Sequence, residues 1–353
     1  MESLDDPSLY TRLDPTGMRH RLRGLPQQCR EAWDQAQKVS LLPQYAAVEA
    51  VVVAGMGGSA IGGDLLADLA ALEEAPPVTV VRGYQLPAFV GENTLVIASS
   101  YSGSTEETLA VFQQALERSC QVVAVTGGGA LEQRARDAHI PLVPVQYQGE
   151  PRCALGYSFV VPLALLQRLG LLADKLAELS QALETLEALA ERLGEEAPRE
   201  RNPAKRLAEG LLGRLPVVYG AGIFTGVARR WKTQFNENAK VWAFFDTLPE
   251  LHHNSVVGYG LPAEVERRLL VLLLQPQGLL PRLDLRYRIT GELLEQKGIA
   301  YQLIRGEGRS PLAQMLSAVL LGDFVSYYLA LLQGIDPSPV PVIDFIKGRL
   351  AAG

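Results

Sequence analysis

Four serine and threonine hydroxyls and a glycine are concentrated in residues 100–105. A β-branched apolar run just before them, residues 94–98, predicts a buried strand, and residues 106–117 have the spacing of a helix. At such a strand-to-helix turn, free backbone N–H groups and the positive end of the helix dipole face the same way. Together with hydroxyl donors and a glycine, they suit a phosphate dianion. The hydroxyls are those of Ser100, Ser102, Ser104 and Thr105.

A helix cap is the other interpretation of this stretch, because serine and threonine are usual N-cap residues. One hydroxyl is enough for a cap, and four exceed that need. The composition of the turn therefore favours phosphate binding.

A glycine-rich stretch, residues 55–63, follows a second predicted strand at residues 50–54, and we expect the next helix over residues 64–72. The stretch superficially resembles a dinucleotide-binding turn. However, Ala60 replaces the third glycine, and Arg82 rather than an acidic residue follows the next strand. A nicotinamide site is therefore disfavoured. The glycines instead let the backbone approach a small ligand, to which Ser59 adds a hydroxyl.

Glu237 lies between two asparagines near the end of a helix expected from about Thr225. Asparagine is a poor helix former, so its occurrence on both sides of a carboxylate is unusual. Polar neighbours suit a general base that is held in place by hydrogen bonds. A solvated helical glutamate is the alternative, and it is the more frequent case for a glutamate in general.

Two of the four histidines, His252 and His253, are adjacent. Adjacent side chains point in different directions, and no acidic or cysteine partner stands at metal-ligand spacing. A single imidazole that titrates near neutral pH is the simpler interpretation. Taken alone, Arg152 and Lys347 have the pattern of surface charges.

The composition is that of a globular chain, with 353 residues, 48% hydrophobic and 20% charged residues and a net charge of −6. The negative charge argues against a nucleic-acid or anionic-membrane partner. The three cysteines have no disulfide or metal spacing, which fits a reducing compartment. The first residues lack a secretory pattern, and the apolar run at residues 269–274 is too short to cross a bilayer. We therefore expect a cytoplasmic protein with no membrane partner.

Predicted strands and helices alternate, which indicates an α/β fold of doubly wound, mostly parallel sheets flanked by helices. Strands of the first half are expected at residues 50–54, 78–81, 94–98, 121–125 and 142–145; those of the second half at residues 215–219, 269–274 and 299–304. No hydroxyl-rich turn follows residues 269–274, so one phosphate site per chain is expected, in the first half.

Composition divides the chain into five segments. They are an N-terminal helical arm, residues 1–45; a first domain with the phosphate turn, residues 46–155; a helical connector, residues 156–203; a second domain with the helix of Glu237, residues 204–335; and a C-terminal tail with Lys347, residues 336–353.

Six of these stretches together resemble one family, the bifunctional phosphoglucose/phosphomannose isomerases. They occur in order from about residue 45 to the C-terminus, at residues 57–64, 100–108, 151–152, 236–240, 250–254 and 346–350. The resemblance implies two flavodoxin-like sugar isomerase (SIS) domains per chain. It also implies a homodimer whose active site is shared between subunits.

The resemblance assigns substrate contacts to five residues. Ser100, Ser102 and Thr105 match the family's phosphate contacts. Ser59 matches a further phosphate contact, and Gly58 lies against the sugar in the family's pattern.

The resemblance also assigns the chemical steps. Arg152 matches the arginine that stabilises the enediolate, and Glu237 matches the base that moves a proton between C1 and C2. His253 matches the ring-opening histidine, which reaches in from the other subunit. Lys347 matches a lysine of the terminal helix that assists at the ring oxygen or the hydroxyls. His252 stands where many members have asparagine, which leaves open which histidine acts.

The implied reaction is the interconversion of glucose 6-phosphate and mannose 6-phosphate with fructose 6-phosphate through an enediolate. It needs a phosphate anchor, a base, a cation and an acid/base pair to open the ring. We expect no metal and no redox cofactor. The alternative is an SIS protein that binds a sugar phosphate without turnover, which would keep the hydroxyl-rich turn but would not need Glu237 or His253.

Overall fold

A computed structural model describes residues 3–351 of the chain. The described part begins with three helices: α1 Pro7–Leu13, α2 Met18–Arg23 and α3 Leu25–Gln37. The periodic pattern of residues 18–37 is thus divided between two helices at Gly24. Pro26, in the first turn of α3, cannot donate to the preceding helix and instead suits the start of a new one.

The first sheet has five parallel strands, and all five were predicted. They are β1 Ala50–Ala54, β2 Val78–Val81, β3 Thr94–Ser100, β4 Gln121–Thr126 and β5 Leu142–Pro144. The helices that connect them are α4 Gly58–Ala70, α5 Glu106–Glu117 and α6 Gly129–Asp137. The strand order β2-β1-β3-β4-β5 is the flavodoxin-like order, in which ligands bind at the carboxyl ends of β1 and β3.

The central strands of this sheet are apolar on both faces. Val51, Val52 and Val53 are all fully buried, because helices cover both sides of a doubly wound sheet. One face packs against α5 and α6. The other face belongs to a much larger core that extends into the second half of the chain.

Helices connect the two sheets. A short 3₁₀ turn, Pro151–Cys153, and a π-helical segment, Gly156–Val160, precede α7 Val161–Arg168, α8 Leu176–Leu193 and α9 Pro203–Leu211. Asn202 caps α9, since its side chain accepts hydrogen bonds from two backbone N–H groups of the first turn. The division into two domains joined by a helical connector at residues 156–203 stays a prediction.

The second sheet has four parallel strands in the order β7-β6-β8-β9. They are β6 Leu215–Gly220, β7 Phe244–Thr247, β8 Leu269–Gln275 and β9 Tyr301–Arg305, and the helices between them are α10 Thr225–Glu237, α11 Ala263–Glu266 and α12 Pro281–Lys297. Strand β7 was not predicted, because it is an edge strand whose side chains stay partly exposed. The predicted α/β class with two parallel sheets is confirmed.

Helix α13, Pro311–Leu332, is the central element of the shared core and was also missed. Nearly all of its residues are buried and apolar, so it lacks the periodicity that reveals a surface helix. It is long and apolar enough to cross a membrane, but 94% of its most apolar window is buried inside the protein, where it packs against α8, α9 and α10. The last helix, α14 Pro341–Ala351, has exposed residues throughout 341–350.

Candidate active site

The hydroxyl-rich turn lies between β3 and α5, as predicted. Thr105 occupies the N-cap position of α5, yet its side chain makes no capping hydrogen bond. Its hydroxyl instead lies 3.0 Å from the Ser100 hydroxyl, which also accepts a hydrogen bond from the N–H of Gly103 at 3.1 Å. The capping interpretation is therefore wrong for Thr105, and the hydroxyls are left to line the turn.

Gly103 determines the shape of this turn. Its φ is +66°, and a Cβ there would lie 1.7 Å from the carbonyl oxygen of Gly128 in the loop after β4. Beside it, Ser102 is exposed, and its hydroxyl accepts a hydrogen bond from the N–H of Ser104 at 3.3 Å. The tight turn thus presents the Ser102 hydroxyl to solvent.

Helix α4 begins at Gly58, six residues earlier than predicted, so Gly58 and Ser59 form its first turn. The glycines of this helix serve close packing, since a Cβ at Gly62 would lie 2.0 Å from the carbonyl oxygen of Ser158. The Ser59 hydroxyl accepts a hydrogen bond from the N–H of Tyr101 at 3.2 Å. Two helix N-termini therefore meet at the carboxyl edge of the first sheet, where both dipoles favour an anion.

Gly58 also brings Arg152 to this edge. A Cβ at Gly58 would lie 2.9 Å from the Cα and N of Arg152 and 2.7 Å from the carbonyl oxygen of Pro151. Only a glycine lets these backbones approach so closely. The contact of Gly58 with a sugar stays a prediction.

Arg152 is only 3% exposed, so its interpretation as a surface charge was wrong. Its Nε donates to Asn238 Oδ1 at 2.6 Å, and its Nη2 donates to the carbonyl oxygens of Pro337 and Ser338 at 2.8 and 3.0 Å. A guanidinium has five N–H donors, of which these bonds use three. The remaining two are on Nη1, which lies 3.5 Å from Glu237 Oε2.

A buried polar network holds Arg152 in this orientation. Asn238 is fully buried and donates to Ser326 Oγ at 2.9 Å, which directs its amide oxygen towards Arg152. Arg230 donates to the carbonyl oxygen of Arg152 at 3.0 Å and forms a two-point ion pair with Asp323 at 2.6 and 3.1 Å. Satisfied buried networks of this kind fix side-chain geometry.

Glu237 is the last residue of α10, and its side chain is 26% exposed. Its carboxylate lies at the negative end of the helix dipole, where the nearby Arg152 guanidinium offsets the repulsion. A freely solvated helical glutamate, the alternative raised from sequence, does not describe this environment. One carboxylate oxygen faces a fixed cation while the group stays accessible.

The two adjacent histidines differ in their surroundings. His252 Nδ1 lies 3.0 Å from Arg286 Nη1 and His252 Nε2 lies 2.9 Å from Thr290 Oγ1. Burial, followed by the charges of Arg286 and His253, lowers the pKa of His252. The side chain of His253 is exposed and makes no hydrogen bond with any other group of residues 3–351. His253 is thus the histidine left available for a further partner.

Contacts in the described part of the structure link seven of the nine assigned residues, and no such contact joins the other two, His253 and Lys347, to them. Linked through the contacts above are Gly58, Ser59, Ser100, Ser102, Thr105, Arg152 and Glu237. Lys347 lies on the exposed helix α14 and, like His253, makes no hydrogen bond or ion pair with Arg152 or Glu237 in the described chain.

Sequence reasoning missed the supports of Arg152, of which Asp323 carried the clearest signal. It is the one charged residue of the 22-residue helix α13, and a single charge in an apolar helix indicates a buried partner. Ser326 gave no comparable signal.

A large cavity and the possibility of a metal site elsewhere in the described chain are the alternatives to this region as the functional site. A cavity of about 850 Å³ lies against α9 and the edge strand β9, and none of the nine assigned residues lines it. Among residues 3–351, no group of three or more His, Cys, Asp or Glu side chains could hold a metal ion.

Comparisons with known proteins indicate the same family as the resemblance found in the sequence. A family model described as the bacterial phospho-glucose isomerase C-terminal SIS domain matches residues 200–350. The bifunctional phosphoglucose/phosphomannose isomerase of Caldicellulosiruptor bescii is 39% identical over 328 residues, or 93% of this chain and 97% of that protein. The enzyme of the same name from Aquifex aeolicus is 38% identical over 302 residues, covering 85% and 90% of the two chains.

Similarity to solved structures concerns the fold. A glucose-6-phosphate isomerase like protein from Thermus thermophilus superimposes with a TM-score of 0.67 at 22% identity, over 98% of this chain and 99% of that one.

Proposed function

Because the chain belongs to the bifunctional phosphoglucose/phosphomannose isomerase family, we propose that it interconverts glucose 6-phosphate and mannose 6-phosphate with fructose 6-phosphate. The names of the two bacterial relatives and their coverage of nearly the whole chain support this assignment. The protein is accordingly an enzyme of carbohydrate metabolism, with a place in glycolysis and gluconeogenesis.

The arrangement of Arg152 and Glu237 carries the proposal. The substrate phosphate binds the hydroxyl-rich turn and the first turn of α4, which places the sugar beside Glu237. Glu237 then takes the C2 proton and returns it to C1. Arg152 Nη1 lies 3.5 Å from Glu237 Oε2 and has the two N–H donors that Asn238 and the main-chain carbonyls leave unused. With substrate bound, these donors stabilise the negative oxygen of the enediolate.

This chemistry accounts for two aldose substrates in one site. The enediolate is planar at C2, so reprotonation on one face gives glucose 6-phosphate and on the other gives mannose 6-phosphate. A sugar-phosphate-binding protein without turnover is the rival function. It would need the hydroxyl-rich turn but not a buried arginine directed at an accessible carboxylate.

We further propose a homodimer in which His253 of one subunit opens the sugar ring in the site of the other. His253 is exposed, and exposed apolar side chains lie near it in sequence and on or just before the edge strand β7: Trp242, Phe244, Val257 and Leu261. Helix α14, with Lys347, also exposes apolar side chains, which a partner subunit would cover. Three free cysteines among the described residues fit a cytoplasmic location.

The experiment that tests the reaction uses Glu237→Gln. The wild-type enzyme should convert each of the three sugar phosphates in a coupled assay. Glutamine keeps the size of the side chain but cannot accept the proton, so kcat should fall by about 10²–10⁴, with a much smaller change in KM. Exchange of solvent hydrogen at C2 should disappear with it.

The exposed Glu292→Gln is the matched control and should keep wild-type kcat. Normal C2 exchange in Glu237→Gln would exclude Glu237 as the base. A wild-type protein that binds all three sugar phosphates but converts none would establish the binding protein instead.

A further inference from the structure

The segment that links α13 to α14 is attached to the end of α10. The carbonyl oxygen of Pro337 accepts hydrogen bonds from two cations, Arg152 Nη2 at 2.8 Å and Lys240 Nζ at 2.9 Å. Gln333 at the start of the segment donates to the carbonyl oxygen of Ala239 at 2.8 Å. The chain that leads into α14 is therefore held by residues that adjoin Glu237.

Lys240 forms the most direct of these attachments. Besides Pro337, its ammonium group donates to the main-chain carbonyl oxygen of Glu237 itself. This carbonyl belongs to the last turn of α10, where carbonyl groups have no intrahelical partner. One side chain thus joins the residue that bears the carboxylate to the start of the terminal segment.

Lys240 adopts an unfavourable backbone conformation to make these contacts. Its φ is +57°, in the left-handed region that usually holds glycine or asparagine after a helix. A lysine there is an observed backbone outlier, and such outliers concentrate at functional positions.

The charge of Lys240 is also disfavoured. Partial burial and the charge of Arg152 lower its pKa to about 8, against the opposing effects of Glu237, Asp336 and Glu150. Since the folded state lowers this pKa, the ammonium form is less favourable there than in the unfolded chain. Neither the backbone conformation nor the electrostatic environment favours a lysine at position 240. Its two hydrogen bonds, to the carbonyl oxygens of Glu237 and Pro337, remain as the reason for its presence.

We propose that Lys240 is a positioning residue that ties the helix of Glu237 to the segment before α14 and so fixes where the helix of Lys347 begins. The consequence for catalysis rests on the proposed isomerase activity. The attachment itself does not.

The test compares Lys240→Asn with Lys240→Arg. Asparagine tolerates the left-handed conformation and carries no charge, so Lys240→Asn should fold with at least wild-type thermal stability. Backbone amides of residues 336–346 should nevertheless exchange with solvent deuterium about tenfold faster. In the isomerase assay kcat should fall about tenfold, as expected when a group is displaced, while KM changes less than twofold. Lys240→Arg keeps the positive charge and the hydrogen-bond donors, so its exchange rate and its kcat should both be close to those of the wild type.

Lys297→Asn, at the exposed last residue of helix α12, is the control and should change neither the exchange rate nor kcat. Unchanged exchange in Lys240→Asn overturns the proposal whatever the activity. Faster exchange with unchanged kcat would overturn the catalytic part of the proposal. Faster exchange and lower kcat together with lower thermal stability would mean that Lys240 has only a structural role. If the wild type lacks isomerase activity, the proposed function fails while the exchange experiment still decides the attachment.

Discussion

The electrostatic environment of Glu237 depends on which donors of Arg152 are already engaged. Nε and Nη2 are held by Asn238 and by two main-chain carbonyls, so the guanidinium cannot turn away from the carboxylate. A lysine in its place would offer three donors on a flexible stem and could not reproduce this planar arrangement. Arginine is therefore required by geometry as much as by charge.

The hydroxyl-rich turn permits a test at the level of side chains. Ser102→Ala combined with Thr105→Ala removes two donors to a charged phosphate oxygen, each of which contributes about 1.5–3 kcal/mol. The dissociation constant for 6-phosphosugars should therefore rise roughly 10²–10⁴-fold, measured by titration calorimetry. Ser180→Ala, at an exposed serine of helix α8, is the control and should bind nearly as the wild type does. Normal binding by the double variant would mean that the phosphate binds elsewhere.

The site could be predicted from sequence only where chemistry is local. Ser100, Glu237 and the asparagines beside it stand in unusual local compositions that a reader can recognise. Arg152 and Lys240 gain their significance from Pro337, 185 and 97 residues away in the chain. No spacing rule connects such residues, and for Arg152 only resemblance to a family pointed to a role.

Among the elements, α10 depends on the first half of the chain for its N-terminus. Phe224 stands at its N-cap position and provides no side-chain cap. The carboxylate of Asp68, on α4, accepts a hydrogen bond from the N–H of Gly226 at 2.6 Å instead. A helix of the first sheet thus caps the helix that bears Glu237.

This cap should make stability depend on pH. Burial raises the pKa of Asp68 to about 7 from 3.8, with a smaller contribution from Asp64 and opposing ones from Gly226 and Arg229. Between pH 4 and about 7 the folded state keeps a proton that the unfolded chain has lost, so this group's contribution to the free energy of unfolding falls as pH rises. Asp68→Asn should remove that fall.

Urea denaturation at pH 5 and pH 7.5 measures the effect. The unfolding free energy of Asp68→Asn minus that of the wild type should be more positive at pH 7.5 than at pH 5, because only the wild type loses this contribution as pH rises. The exposed Asp34→Asn should show no such change with pH. An equal difference at both pH values would contradict the prediction.

Elements were predictable from sequence where burial produces a pattern. Strands of a parallel sheet covered on both faces are continuous apolar runs, so all five strands of the first sheet were identified. Strand β7 has one neighbouring strand and partly exposed aromatic residues, which weakens the pattern. Helix α13 was missed for the opposite reason, because burial on every side erases periodicity.

At the level of the whole molecule, the proposed dimer makes a quantitative prediction. Glu237→Gln and His253→Ala should each be nearly inactive alone. If each site takes Glu237 from one subunit and His253 from the other, every mixed dimer has one intact site. Random reassociation of equal amounts makes half of the dimers mixed, so about a quarter of the wild-type activity should return. An inactive mixture with verified subunit exchange would exclude the shared site.

Helix α13 also determines the order in which the protein can fold as it is synthesised. The core beneath α5 and α6 is complete within residues 52–142 and can form early on the ribosome. The larger core needs α13, which begins only at residue 311. At roughly 5–20 residues per second, the interval lasts roughly ten to thirty seconds, during which apolar surface of the first sheet stays uncovered. Until its last core helix leaves the exit tunnel, the nascent chain therefore exposes apolar surface that is prone to aggregation.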